Sequence, residues 1–152
     1  MTEVPANPSI GIVVSTYNSS ITSKLRDGAL ATLSAAGWSR DAITVLQVPG
    51  AWELPLAAKW LAESDSIVAV ITLGAVIRGE TTHDQHINRA VSQALMELMQ
   101  STGKPIAFGL LTCNTLEQAL HRAGGDVGNK GEEAAQAALA MLELGAGQRG
   151  RA

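Results

Sequence analysis

The chain has 152 residues and a formal net charge of −3, with 46% hydrophobic, 16% charged and only 3% aromatic residues. That is the size of one domain able to bury a core, and the weak negative charge with scattered Lys and Arg excludes a broad nucleic-acid surface. No apolar run reaches the ~18 to 20 residues that cross a bilayer, the opening residues lack the basic and apolar segments of a secretion signal, and the lone Cys113 permits no internal disulfide. The expected setting is cytoplasmic, with small molecules rather than nucleic acid or membrane as partners.

Apolar runs alternate with helical patterns. Residues 10–15 read as a short buried strand, and Ile21, Leu25, Ala29, Leu33 and Ala36 recur at helical spacing behind the N-cap candidates Ser19 and Ser20 until Gly37. Residues 43–48 form the second strand, and Pro49-Gly50 turns the chain into a helix over residues 52–64 that tolerates Pro55 only in its first turn. The third strand covers residues 67–73, and Ile87, Ala90, Val91, Ala94, Leu95 and Leu98 give the next helix one apolar face before Gly103. A fourth strand covers residues 105–111, a short helix runs from Thr115 to Ala123, Gly124-Gly125 breaks it, and an alanine-rich helix spans residues 131–144. Residues 1–8 are expected to be a flexible lead and residues 145–152 a frayed tail. No repeat or linker divides the chain, so 1–152 reads as one α/β domain of right-handed βαβ units, with a four-stranded parallel sheet covered by helices on both faces.

Parallel strands deliver their C-terminal ends to one edge, where α/β folds bind ligands. The third strand empties there into Gly79, Glu80, Thr81 and Thr82, whose backbone N–H groups suit an anion, followed by His83, a side-chain type that moves protons near neutrality. Tyr17 and Trp52 stand at the ends of the first two strands in a chain with few aromatics, offering either a surface for a flat ring or ordinary packing. Asn18 and Glu53 beside them could hold sugar-like hydroxyls or cap the helix starts. Arg78 reads as a structural or interface ion-pair partner. His83 and His86 have the spacing of a metal pair, but no third ligand cluster accompanies them, so no metal is expected.

Five segments carry a resemblance: Tyr17-Asn18 before Ile21-Thr22; Val48-Pro-Gly-Ala-Trp-Glu-Leu-Pro55; Leu73-Gly-Ala-Val-Ile-Arg-Gly-Glu-Thr81 with His83; Pro105-Ile-Ala-Phe-Gly109; and Glu117-Gln-Ala-Leu-His-Arg-Ala-Gly124 leading to Gly128-Asn-Lys-Gly131. Together they resemble the lumazine synthase family over nearly the whole chain, and the combination is far more specific than any one of them. The resemblance implies a flavodoxin-like three-layer α/β/α sandwich, pentameric rings with active sites between adjacent subunits, and no cofactor. The implied reaction condenses 5-amino-6-(D-ribitylamino)uracil with 3,4-dihydroxy-2-butanone 4-phosphate, with loss of phosphate and water, to 6,7-dimethyl-8-ribityllumazine in riboflavin biosynthesis.

Carried onto this sequence, the resemblance puts Tyr17, Ala51 and Trp52 against the pyrimidine, with Phe108 coming from a neighbouring subunit. It puts Asn18 and Glu53 on the ribityl chain, and Val76 and Ile77 against the ring. Gly79, Glu80, Thr81 and Arg122 would bind the phosphate, Lys130 would be an auxiliary anchor, and His83 the proton carrier. Tyr17 and Trp52 occupy positions where the family commonly has phenylalanine, and Asp84-Gln-His-Ile87 replaces its usual aromatic and acidic run. The connection over residues 124–131 carries no insertion, as in shell-forming members, which implies a homo-oligomer of pentamers closed into a sixty-copy icosahedral particle.

Overall fold

The computed structural model describes residues 4–79 and 83–149. In chain order the elements are β1 (Ser9–Ser15), α1 (Ser19–Ala35), β2 (Ile43–Val48), α2 (Leu54–Ala62), β3 (Ile67–Ile77), α3 (His83–Thr102), β4 (Ile106–Cys113), α4 (Leu116–His121), β5 (Ala123–Gly125), β6 (Gly128–Asn129) and α5 (Lys130–Arg149). Single 3-10 turns at Arg40–Ala42 and Ala51–Glu53 lead into β2 and α2.

The first four strands form one parallel sheet in the order β2-β1-β3-β4. Strand alternation divides its side chains between two apolar layers. On one face Ile10, Ile12 and Val14 of β1 meet Ile21, Leu25, Ala29 and Leu33 of α1 and Ala134, Ala135 and Ala138 of α5. On the other, Val13 and Val70 meet Leu54, Ala57 and Leu61 of α2 and Val91 and Leu95 of α3. The result is the expected flavodoxin-like α/β/α sandwich with a four-stranded parallel sheet.

Several boundaries differ from the sequence reading, each for a local reason. β3 does not stop at Leu73: residues 74–77 stay in the ladder, with Gly74 to Ile77 paired to Leu110 to Cys113. Gly74 weakens strand propensity by itself, but a Cβ there would stand 2.8 Å from Leu110 Cδ1, so close packing requires the glycine. The helix expected from Trp52 begins as a 3-10 turn and becomes α-helical at Leu54, with Pro55 in its first turn. The Gly124-Gly125 break is a tight antiparallel hairpin, with Gly124 and Gly128 at φ 104° and 108°, a conformation glycine adopts without cost. α5 continues past Leu144 through Gly145 and Gly147 to Arg149. An anchored helix propagates cheaply, gaining one hydrogen bond per residue fixed. Residues 4–8 form no helix or strand before β1.

Where α1 and α5 cross, backbone meets backbone. A Cβ on Gly131 would overlap the Leu25 carbonyl, and one on Gly28 would strike the Asn129 side chain. Asn129 locks the contact: its Nδ2 donates to Lys24 O at 3.1 Å, and its Oδ1 accepts from Gly131 N (2.8 Å) and Glu132 N (3.1 Å), capping α5. Gly131→Ala should therefore lower stability by about 1 to 3 kcal/mol, because α1 and α5 must separate. Gly147→Ala, with open space around it, should be neutral or gain about 0.5 to 1 kcal/mol. Urea unfolding of the two variants side by side checks both.

Candidate active site

Four strand ends are tied into one rim. Beyond β1, the Thr16 and Tyr17 N–H groups donate to the Val48 and Pro49 carbonyls at 2.8 and 3.0 Å, extending the β1-β2 ladder and setting Tyr17 beside the turn that carries Trp52. Asn18 is the only non-glycine residue with positive φ among those described (62°). From that conformation its Nδ2 donates to Ala75 O at 2.9 Å, joining the end of β1 to β3. Arg78 N–H donates to Cys113 O at 2.8 Å and prolongs the β3-β4 pairing.

On this rim stand most of the residues singled out in the sequence. Tyr17 is 74% exposed and Trp52 62% exposed, so neither ring is spent on the core. Ala51, which precedes Trp52 in the chain, is buried. Glu53 Oε1 accepts from Gly50 N–H at 3.0 Å, so one carboxylate oxygen braces its own turn. Asn18 makes no side-chain cap to α1, its amide going to Ala75 instead. Val76 and Ile77 close β3, half-buried and on opposite faces of the sheet. A ring lying against this strand end meets the side chain of one and the backbone of the other. Gly79 is exposed, and His83 opens α3 with its side chain exposed. Glu80, Thr81 and Thr82 lie outside the described residues. Arg78, read as an ion-pair partner, is exposed and makes no ion pair among the described residues.

Phe108, Arg122 and Lys130 belong to another part of the molecule. The β5-β6 hairpin folds Lys130 N–H onto Arg122 O at 2.8 Å, so two cations eight positions apart in sequence become neighbours. With Thr112, Gly128 and Glu133 they line an open groove of about 340 Å³ along the outer side of β4. Neither cation forms an ion pair among the described residues; the Arg122 guanidinium donates to Gln118 O at 3.3 Å. Thr112 and Glu133 were not anticipated as groove residues. Glu133 follows Lys130 by three helical positions, a spacing that puts it on the same face and could have flagged it.

Phe108 is 40% exposed on edge strand β4, level with Thr72 rather than with the strand ends. Thr72 precedes Ile77 by five residues, roughly 16 Å along a strand, and β1 lies two strand spacings, roughly 10 Å, from β4. A phenylalanine side chain cannot bridge that distance to Tyr17 or Trp52 in the same chain. Among the described residues no group of three or more His, Cys, Asp or Glu could hold a metal ion, and no helix is long and apolar enough to cross a membrane.

Residues 7–146 match the sequence profile of the family described as 6,7-dimethyl-8-ribityllumazine synthase. The chain belongs to this family. A 6,7-dimethyl-8-ribityllumazine synthase from Rhodopirellula baltica is 53% identical over 135 residues, covering 89% of this chain and 87% of that protein. One from Syntrophus aciditrophicus is 51% identical over 134 residues, covering 88% and 87%. As a member of the lumazine synthase family, the chain thus divides its candidate residues between a rim at the strand ends and a cationic groove on the β4 edge.

The Asn18 strut is testable apart from any activity. Asn18→Gly removes the amide bond to Ala75 but keeps the left-handed turn, and should cost roughly 1 kcal/mol. Asn18→Ala must also force a Cβ into that conformation and should cost roughly 1 to 2 kcal/mol more. Equal unfolding midpoints for the two variants would contradict the account.

Proposed function

We propose that this chain forms 6,7-dimethyl-8-ribityllumazine from 5-amino-6-(D-ribitylamino)uracil and 3,4-dihydroxy-2-butanone 4-phosphate, at sites shared between two copies. Family membership supports the reaction, and one observation carries the site: two aromatic rings stand exposed on adjacent strand ends, on the edge of the sheet where β3 also ends. Tyr17 and Trp52 flank the pyrimidine over Ala51, with Val76 and Ile77 closing the strand side. The Oδ1 of Asn18 and the second carboxylate oxygen of Glu53 remain to accept from ribityl hydroxyls. The backbone around Gly79, Glu80 and Thr81 takes the phosphate from one side.

The second copy supplies what one chain cannot place there. Its β4 edge brings Phe108 onto the ring and Arg122 onto the phosphate, with Lys130 as a further cation. The uracil's 5-amino group adds to the ketone carbonyl and expels water as an imine forms. Elimination releases phosphate, and the ribitylamino nitrogen closes the second ring with loss of water. His83 carries protons between these steps. Holding two substrates in register can be worth ~7 to 11 kcal/mol, whereas an acid/base group adds typically 10²- to 10⁴-fold. Positioning therefore dominates. The reading assigns no step to a metal or organic cofactor.

We propose pentamers closed into a sixty-copy shell, because the connection at 124–131 is a tight hairpin and adds no long loop to stand between neighbouring rings. Light scattering that shows only ring-sized particles across buffers would overturn the shell and leave the chemistry untouched.

Mixing the purified protein with both substrates and following lumazine absorbance and phosphate release tests the reaction, which should persist in the presence of a chelator. Arg122→Ala should chiefly raise KM for the butanone phosphate, and unchanged constants would remove it from the phosphate site. His83→Ala should lower kcat by about 10²- to 10⁴-fold without abolishing turnover. Wild-type rates in that variant would exclude His83 from proton transfer.

A further inference from the structure

Among the described residues, three buried side-chain oxygens have no hydrogen-bond partner: Ser15 Oγ, Asp84 Oδ1 and Asn88 Oδ1. Such orphans cost free energy, most of all on a charged group. These three are not scattered. Ser15 ends β1 and is 1% exposed. It packs against the bare backbone of Gly74 on β3: a Cβ there would stand 3.1 Å from Ser15 Oγ, 3.3 Å from Leu54 Cδ1 and 2.8 Å from Leu110 Cδ1. Asp84 is 8% exposed; with Asn88 one turn on, it continues the helix face of Val91 and Leu95. That face packs into the same apolar cluster as Leu54 and Leu110. α3 starts at the C-terminal edge of the sheet, the edge at which β1 ends in Ser15, and runs back toward the beginning of β4. One hydroxyl donor and two oxygen acceptors therefore share a layer directly beneath the rim.

We propose that Ser15, Asp84 and Asn88 jointly hold one buried water, and that this bridge makes Asp84 a positioning residue for His83. The donor and acceptor count closes: the water donates one proton to Asp84 Oδ1 and one to Asn88 Oδ1, and accepts the Ser15 hydroxyl proton. About three bonds is the usual number for a buried water. An anion in the same place would be repelled by Asp84, and an apolar group would leave all three oxygens unmatched. Successive helical residues point about 100° apart, so His83 faces outward while Asp84 faces the layer beneath. The bridge pins the first turn of α3 to the end of β1, the strand that carries Tyr17 into the site. It thereby sets the distance from the proton carrier to the ring platform. The positioning role rests on the catalytic reading above; the water does not.

A high-resolution crystal structure of the assembled wild-type protein should show an ordered water within about 2.7 to 3.2 Å of all three oxygens, and a structure without it overturns the proposal. In kinetics, Ser15→Ala and Asp84→Leu should each lower kcat by about 10- to 100-fold with little change in either KM, while Asp84→Asn, which retains an acceptor oxygen, recovers most of the loss. Wild-type kcat in a folded Asp84→Leu or Ser15→Ala protein overturns the positioning role. If the wild-type protein makes no lumazine, the catalytic reading fails with its positioning role, and the crystallographic outcome still decides the water.

Discussion

All four strands of the main sheet run in the same direction. Each of the first three must then be followed by a helix that returns the chain across a face of the sheet, and each strand's C-terminal end opens on one edge. That constraint places Tyr17, Trp52, Gly79 and His83 on a common rim although they are widely separated along the chain. It also demands local backbone solutions at each exit. Asn18 adopts a left-handed conformation so that its amide can reach across to Ala75, and Glu53 returns an oxygen to Gly50. Both residues serve first as struts of the rim. Their remaining oxygens are what the proposed ribityl contact uses.

The last quarter of the chain answers a different requirement. β4 is an edge strand of the sheet, and of the segments that follow it α5 returns across the sheet, on the face it shares with α1. The α4 turn and the glycine hairpin bring Lys130 back beside Arg122, and Asn129 then anchors α5 to α1 where Gly131 lets the two backbones touch. The groove's two cations are held side by side by backbone hydrogen bonding, not by an ion pair among the described residues. This arrangement suits a charged group arriving from outside. The Glu133 carboxylate in the same groove partly offsets their charge, which leaves a single excess positive charge at the groove.

The main layers were legible because buried parallel strands are short β-branched runs and helices repeat at 3.6 residues. β1, β2 and the helix faces of α1 and α3 follow those periods closely. Legibility fell where tertiary contacts overrule local preference. Gly74 reads as a loop residue, but β4 pairing keeps it in a strand. Gly145 and Gly147 read as a frayed end, but α5 passes through them. The hairpin at 123–129 escaped because its strands are two and three residues long, too short for any period to show. Of the site, the rim residues were legible as strand exits and the rest only through the motif match. The separation of Phe108 from Trp52 depends on ladder register, which no local pattern encodes. Asp84 and Asn88 signalled little because a polar residue in a first helical turn is ordinarily a capping or dipole partner.

The distance between the rim and the β4 groove has a genetic consequence under the shared-site reading. A copy defective at the rim still carries an intact groove, and a copy defective at the groove still carries an intact rim. Coexpressed, two such inactive chains would meet in some interfaces with both good halves facing each other. Activity would then reappear in the mixture although neither chain has it alone, so alleles of this gene would sort into two complementation groups that map onto two separate surfaces of one small domain.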